Sequence, residues 1–190
     1  MPIKQPLLLI SLFVLWMANS QASTQTADAE LTAMLKRAIT ETSNFSDRYE
    51  AEVWYMDMNT RLKRRVKNDK ERIELLNMIH TEARRANLQP ELVMAVIQIE
   101  SNFDRWAISR VGARGLMQVM PFWLKEIGRP GDDLFNARTN LRMGCTILRH
   151  YLDKENGNII RALGRYNGSL GSYRYPRKVL AALRNNWYRP

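Results

Sequence analysis

The run Leu92-Val93-Met94-Ala95-Val96-Ile97 limits the possible folds of this chain more than any other segment. Pro90, just ahead of it, suits the first turn of a helix, where a missing N–H costs nothing. A helix that is apolar nearly all round has no face to offer water, so other elements must enclose it. The run therefore predicts a central, buried helix with Glu100 near its end. A carboxyl in that position is desolvated and faces the negative end of the helix dipole, and both effects favour its protonated form. The competing reading is an exposed glutamate at a frayed helix end, and the residue pattern alone leaves the two level.

The rest of the chain supplies helices to do the enclosing. Residues 28–41 and 47–66 read as amphipathic helices, the second carrying Tyr49, Trp54 and Tyr55 and ending in Arg61-Leu62-Lys63-Arg64-Arg65. A basic run of that kind is usually a solvated face. Asn68 with Glu71 forms an approximate capping box, and Ile73, Leu76, Ile79 and Ala83 recur at helical spacing, giving a third helix that leads to Asn87. Beyond Glu100, Gly112 and Gly115 mark a loop, and Pro121 opens a short helix that stops at Gly128. Asn136 caps a helix bearing Leu141, Cys145, Leu148 and Leu152, and Asn158 caps a segment through Tyr166. Pro176 is expected to begin the last helix, with Val179, Leu183 and Trp187. With no alternating strand pattern, the fold class is all-α, predominantly helical. The expected boundary falls near Asn87, between a helical extension (residues 23–87) and a compact domain (88–190).

The first 22 residues have the layout of a signal peptide: Lys4, then an apolar run over 7–17 broken by Ser11, then Ser20-Gln21-Ala22. A membrane anchor is the competing reading, but the run falls short of the roughly 20 residues needed to span a bilayer. Cleavage after Ala22, secretion across the inner membrane into the periplasm and no stable membrane anchor are expected. The only cysteine, Cys145, excludes an internal disulfide, so a packed core must supply stability. Lysine and arginine number 29 against 19 acidic residues, a net charge of +10, and losing Lys4 with the leader leaves 28 minus 19, or +9. An exported cation meets anionic wall polymers and lipid head groups, while export disfavours nucleic acid as a partner. Solubility alone would also account for the charge. With only His80, His150 and one cysteine there is no zinc set, and no phosphate-binding glycine loop is present, so no metal and no cofactor is expected.

Cleaving a glycosidic bond requires a proton for the departing oxygen and stabilisation of a positive sugar centre, the work of carboxyl groups. Glu100 is the best placed acid. Glu100-Ser101-Asn102-Phe103, Gly115-Leu116-Met117-Gln118-Val119-Met120-Pro121 and Tyr166-Asn167-Gly168 resemble, in order, the three motifs of the soluble lytic transglycosylase (SLT) family. The likeness covers about residues 88–187.

The resemblance implies a lysozyme-like domain with a groove across its face. It also implies cleavage of the bond between N-acetylmuramic acid and N-acetylglucosamine, with 1,6-anhydro ends and no water consumed. Glu100 would be the general acid and then the base. Substrate-binding roles are implied for Ser109 beside the carboxyl, for Gln118 and Met120 in the groove, for Tyr166 near the acid and the developing charge, for Asn167 on an acetamido group, and for Tyr175. Met117 reads better as core. The motif departs from the family at Arg165, where alanine is usual, and in Gly168-Ser169-Leu170-Gly171-Ser172, which points to an altered groove near the peptide stem.

Peptidoglycan strands are the implied partner, with other envelope or secretion-machinery proteins as further candidates. One rival is a hydrolase like goose-type lysozyme, which would draw a second carboxylate from Asp104, Asp132 or Asp133. The other is a noncatalytic wall-binding or scaffold protein.

Overall fold

The computed structural model describes residues 48–188. The expected leader and the helix over residues 28–41 lie outside the described residues. In chain order the elements are α1 (Arg48–Leu62), α2 (Asp69–Arg85), α3 (Pro90–Glu100), α4 (Trp123–Ile127), α5 (Ala137–Lys154), α6 (Ile159–Tyr166) and α7 (Arg174–Ala182), followed by one π-helical turn, Leu183–Trp187. No strand occurs among the described residues, only isolated bridges pairing Ile108 with Arg114 and Arg114 with Val119. The helical fold class is thus as expected.

Local chemistry sets the helix starts. The side chains of Asn68, Asn136 and Asn158 each accept a backbone N–H three residues on, at 2.9, 3.1 and 3.2 Å, satisfying an otherwise orphaned first-turn donor of α2, α5 and α6. Pro90 opens α3. The last helix differs from expectation, beginning at Arg174 so that Pro176 is its third residue. The first four N–H groups of a helix have no internal partner, so proline is accommodated there without losing a bond.

Helix α3 occupies the centre. Val93 to Ile97 are fully buried, and the helix packs against α2, α7 and the π turn. Trp54, Tyr55, Met58 and Leu62 of α1 and Ile73, Leu76 and Ile79 of α2 belong to the same apolar cluster as α3. One core therefore joins residues on both sides of Asn87. The α1–α2 corner is built on Arg72, which is fully buried. Its guanidinium donates to Asn59 Oδ1 at 2.6 Å, the Val66 and Lys67 carbonyls at 2.9 and 3.2 Å, and Asp69 Oδ1 at 2.6 Å. Burying that charge is tolerable only because its donors are met.

Candidate active site

The turn that ends α3 sets the site. After Glu100 the chain leaves the helix through Asn102 and Phe103, both at positive φ, +49° and +70°. Asparagine tolerates this region better than phenylalanine, for which it costs about 1–3 kcal/mol and persists only where the surroundings hold the residue there. Here Phe103 is buried against Trp187, ring centroids 5.5 Å apart, and Arg65 Nε donates to Asn102 Oδ1 at 3.0 Å. Gln98, two residues before Glu100, accepts from Trp187 Nε1 at 2.8 Å and Asn186 Nδ2 at 3.2 Å. The final turn of α3 is thereby fixed from several sides.

The three motifs are joined by hydrogen bonds through the backbone of the second. Ser101 Oγ donates to the Leu116 carbonyl at 2.8 Å, and the Tyr166 hydroxyl donates to the Met117 carbonyl at 2.8 Å. From beneath, fully buried Asn140 accepts the Met117 N–H at 2.8 Å and donates to the Arg114 and Leu134 carbonyls, each at 2.8 Å. Close approach explains two glycines. A Cβ at Gly115, whose φ is +74°, would lie 2.4 Å from Asn140 Nδ2, and one at Gly144 would lie 2.5 Å from Met117 Sδ. Met117 is fully buried, as a core residue should be.

Glu100 opens onto a cleft of about 310 Å³ lined also by Ile99, Asn167, Ser169, Tyr175 and Lys178. The Tyr175 hydroxyl donates to Glu100 Oε1 at 2.6 Å. Burial pushes the Glu100 carboxyl up from its ordinary 4.5 to about 7, against the opposing effect of that hydrogen bond. Burial, and then the Glu100 charge, holds the hydroxyls of Tyr166 and Tyr175 well above the ordinary tyrosine value, so both remain donors. The arrangement offers a carboxyl that exchanges its proton near neutrality, with one oxygen already engaged.

The other sequence-derived candidates divide. Asn167 and Tyr175 line the cleft with Glu100, and Asn167 Oδ1 accepts from Ser169 Oγ at 3.2 Å, leaving its amide N–H groups for a ligand. Tyr166 supports the loop beside the cleft. Ser109 Oγ accepts the Ala113 N–H at 3.0 Å, closing its own loop. Gln118 spends its amide donors on the Ala107 and Gly115 carbonyls at 3.1 and 2.9 Å, so only its carbonyl oxygen remains for a sugar. Met120 is half-buried and is not among the residues lining the cleft. Arg165 pairs with Glu155, which also binds Arg161, so its guanidinium is held by α5's C-terminal cap residue. Sequence reasoning missed Arg174 and Lys178, which add positive charge to the cleft. Their spacing of four residues around Tyr175 was the available signal.

The fold thus gathers separated motifs around one half-buried acid, Glu100, beside an open cleft. The sequence profile of the transglycosylase SLT domain matches residues 77–183, and the chain belongs to that family. It is similar to the transglycosylase of Enterobacteria phage PRD1, 36% identical over 101 residues, 50% of this chain and 37% of the phage protein. It is 32% identical over 120 residues to the membrane-bound lytic murein transglycosylase C of Yersinia pestis (strain Pestoides F), covering 55% of this chain and 34% of that protein. The chain thus spans about a third of the length of these curated relatives. Among solved structures, an inactive mutant of the lytic transglycosylase Slt from Pseudomonas aeruginosa aligns at 26% identity over 77% of this chain and 24% of that one, with a TM-score of 0.46.

Proposed function

We propose that the protein is a periplasmic peptidoglycan lytic transglycosylase, a carbon–oxygen lyase that cleaves the bond between N-acetylmuramic acid and N-acetylglucosamine and leaves 1,6-anhydro ends. The observation that carries this reading is the Glu100 carboxyl, raised to about 7 in an open cleft with Oε1 held by Tyr175. With the Tyr175 hydroxyl donating to Oε1, the carboxyl proton sits on Oε2, available to the glycosidic oxygen. Protonating that oxygen lets the bond to the muramic anomeric carbon break, and the alcohol leaves. Glu100 is then a carboxylate and accepts the proton of the muramic C6 hydroxyl as its oxygen bonds to the anomeric carbon. One group serves both steps because the first leaves it in the form needed by the second. Asn167 is assigned to an acetamido group of the strand.

The placement of the other acids supports this route over hydrolysis. Asp104 Oδ1 accepts the Trp106 N–H at 2.9 Å, Asp133 Oδ1 accepts the Phe135 N–H at 3.0 Å, and Asp132 pairs with Arg142 at 2.5 Å. None of the three lines the Glu100 cleft, whereas a water-activating base must stand beside the scissile bond. The test is turnover of purified sacculi by Glu100→Gln, with folding checked by circular dichroism. A drop of about a hundred- to ten-thousand-fold or more is expected. Near wild-type release of muropeptides by the folded variant would remove Glu100 from the mechanism.

A further inference from the structure

A second recess, of about 540 Å³, lies where the end of α1 meets the π turn and the turn after Glu100. Arg61, Arg64 and Arg65 line it together with Asn102, Asn185 and Asn186, and every lining residue is polar. The three guanidiniums differ in what they already hold. Arg61 is paired with Asp57 at 2.6 Å and donates to the Asn186 carbonyl at 3.0 Å, so its charge is largely offset. Arg65 lies over the Trp187 ring, 5.4 Å from its centroid, and spends only Nε, on Asn102. Arg64 is exposed, and among the described residues it has no acidic partner. Burial, and then the Arg64 charge beside it, lowers the Arg65 pKa.

We propose that this recess is an anion-binding site that takes a carboxylate-bearing stem peptide of the wall while a glycan strand occupies the Glu100 cleft. The inference rests on the peptidoglycan reading above. A planar guanidinium edge fixed by stacking matches a carboxylate with two parallel N–H donors. Three asparagine amides beside it suit a peptide backbone, which both donates and accepts. The recess is larger than one phosphate needs, and it offers no apolar wall for an acyl chain. Its link to the catalytic turn is direct, since Asn102, held by Arg65, lies two residues after Glu100. The arginines come from the segment before Asn87, which ties that segment to substrate capture.

The test is cosedimentation of the full-length Glu100→Gln protein, which leaves the wall intact, with three partners: sacculi carrying stem peptides, the same sacculi stripped of stems by an amidase, and vesicles of phosphatidylglycerol in phosphatidylcholine. Stem-bearing sacculi are expected to bind in a salt-sensitive way, stripped sacculi weakly. Adding Arg64→Glu should weaken binding to stem-bearing sacculi roughly tenfold. Arg64 is exposed, so folding should survive, and Arg64→Gln provides a milder second variant. Equal binding by all variants, equal binding to stripped sacculi, or vesicle binding that depends on Arg64 would each overturn the proposal. Muropeptide release by the unmutated protein separately reports on the peptidoglycan reading, so the two can fail independently.

Discussion

Replacing Glu100 with glutamine should make the protein more stable, and increasingly so as pH rises from about 4.5 to about 7. Below this window the carboxyl is protonated both folded and unfolded and contributes no pH dependence. Within it the unfolded chain has lost the proton while the folded protein still holds it, because burial raises the folded value from 4.5 to about 7. The folded state then binds more protons, so the stability of the unmutated protein falls as pH rises, and above about 7 the loss is complete. At about 1.4 kcal/mol per pKa unit, the shift corresponds to about 3 kcal/mol. Glu100 is only half-buried, so water screens part of this, and about 3 kcal/mol is a ceiling. Glutamine carries no charge at any of these pH values and can still accept from Tyr175. Urea unfolding of both proteins at closely spaced pH values measures the gap, which should open by at least about 1 kcal/mol across the window. A gap that stays constant with pH would show that the carboxyl titrates as in water and would sink the argument that burial tunes it.

The unmutated protein should lose kcat/KM as pH rises through about 7, and in Tyr175→Phe that falling limb should move to higher pH, because the hydrogen bond that opposes burial is gone; a pH–rate profile on sacculi measures both. Gly144→Ala places a Cβ 2.8 Å from Met117 Cβ and should cost about 1–3 kcal/mol in urea unfolding while displacing the second-motif loop and reducing turnover. Arg72→Ala, which leaves Asn59 and two carbonyls without their donor, should lower stability by about 3 kcal/mol, read as a lower urea midpoint. A chain beginning at Asn68 loses Trp54, Tyr55, Met58 and Leu62 from the core, each worth about 1.5–3 kcal/mol of burial, and should be unfolded by circular dichroism at ambient temperature.

Much of the helical frame was legible because its signals are local. Asn68, Asn136 and Asn158 cap as their side chains allow, and the apolar run 92–97 could only lie inside. Pro176 misled by two residues because proline is tolerated throughout a first turn, not at one position in it. The links that assemble the site join residues far apart in the chain, Ser101 to Leu116, Tyr166 to Met117 and Tyr175 to Glu100. No periodicity encodes such pairings. Asn140 escaped notice because it sits in the apolar stripe of α5, where its polarity was itself the clue. Gln118 and Ser109 could be assigned to a groove by motif, but which of their polar atoms the loop consumes depends on three-dimensional closure. The basic run 61–65 reads as a solvated face, yet folding buries Leu62 and turns Arg61 and Arg65 toward the π turn and the end of α3.

The central claim is that Glu100 drives cleavage without water, and the mass of the released muropeptides tests it most directly. Purified sacculi digested in water enriched in oxygen-18 should yield products whose muramic ends are lighter by one water than reducing ends and carry no heavy oxygen. Reducing muramic ends bearing oxygen-18 would contradict the account and identify a hydrolase.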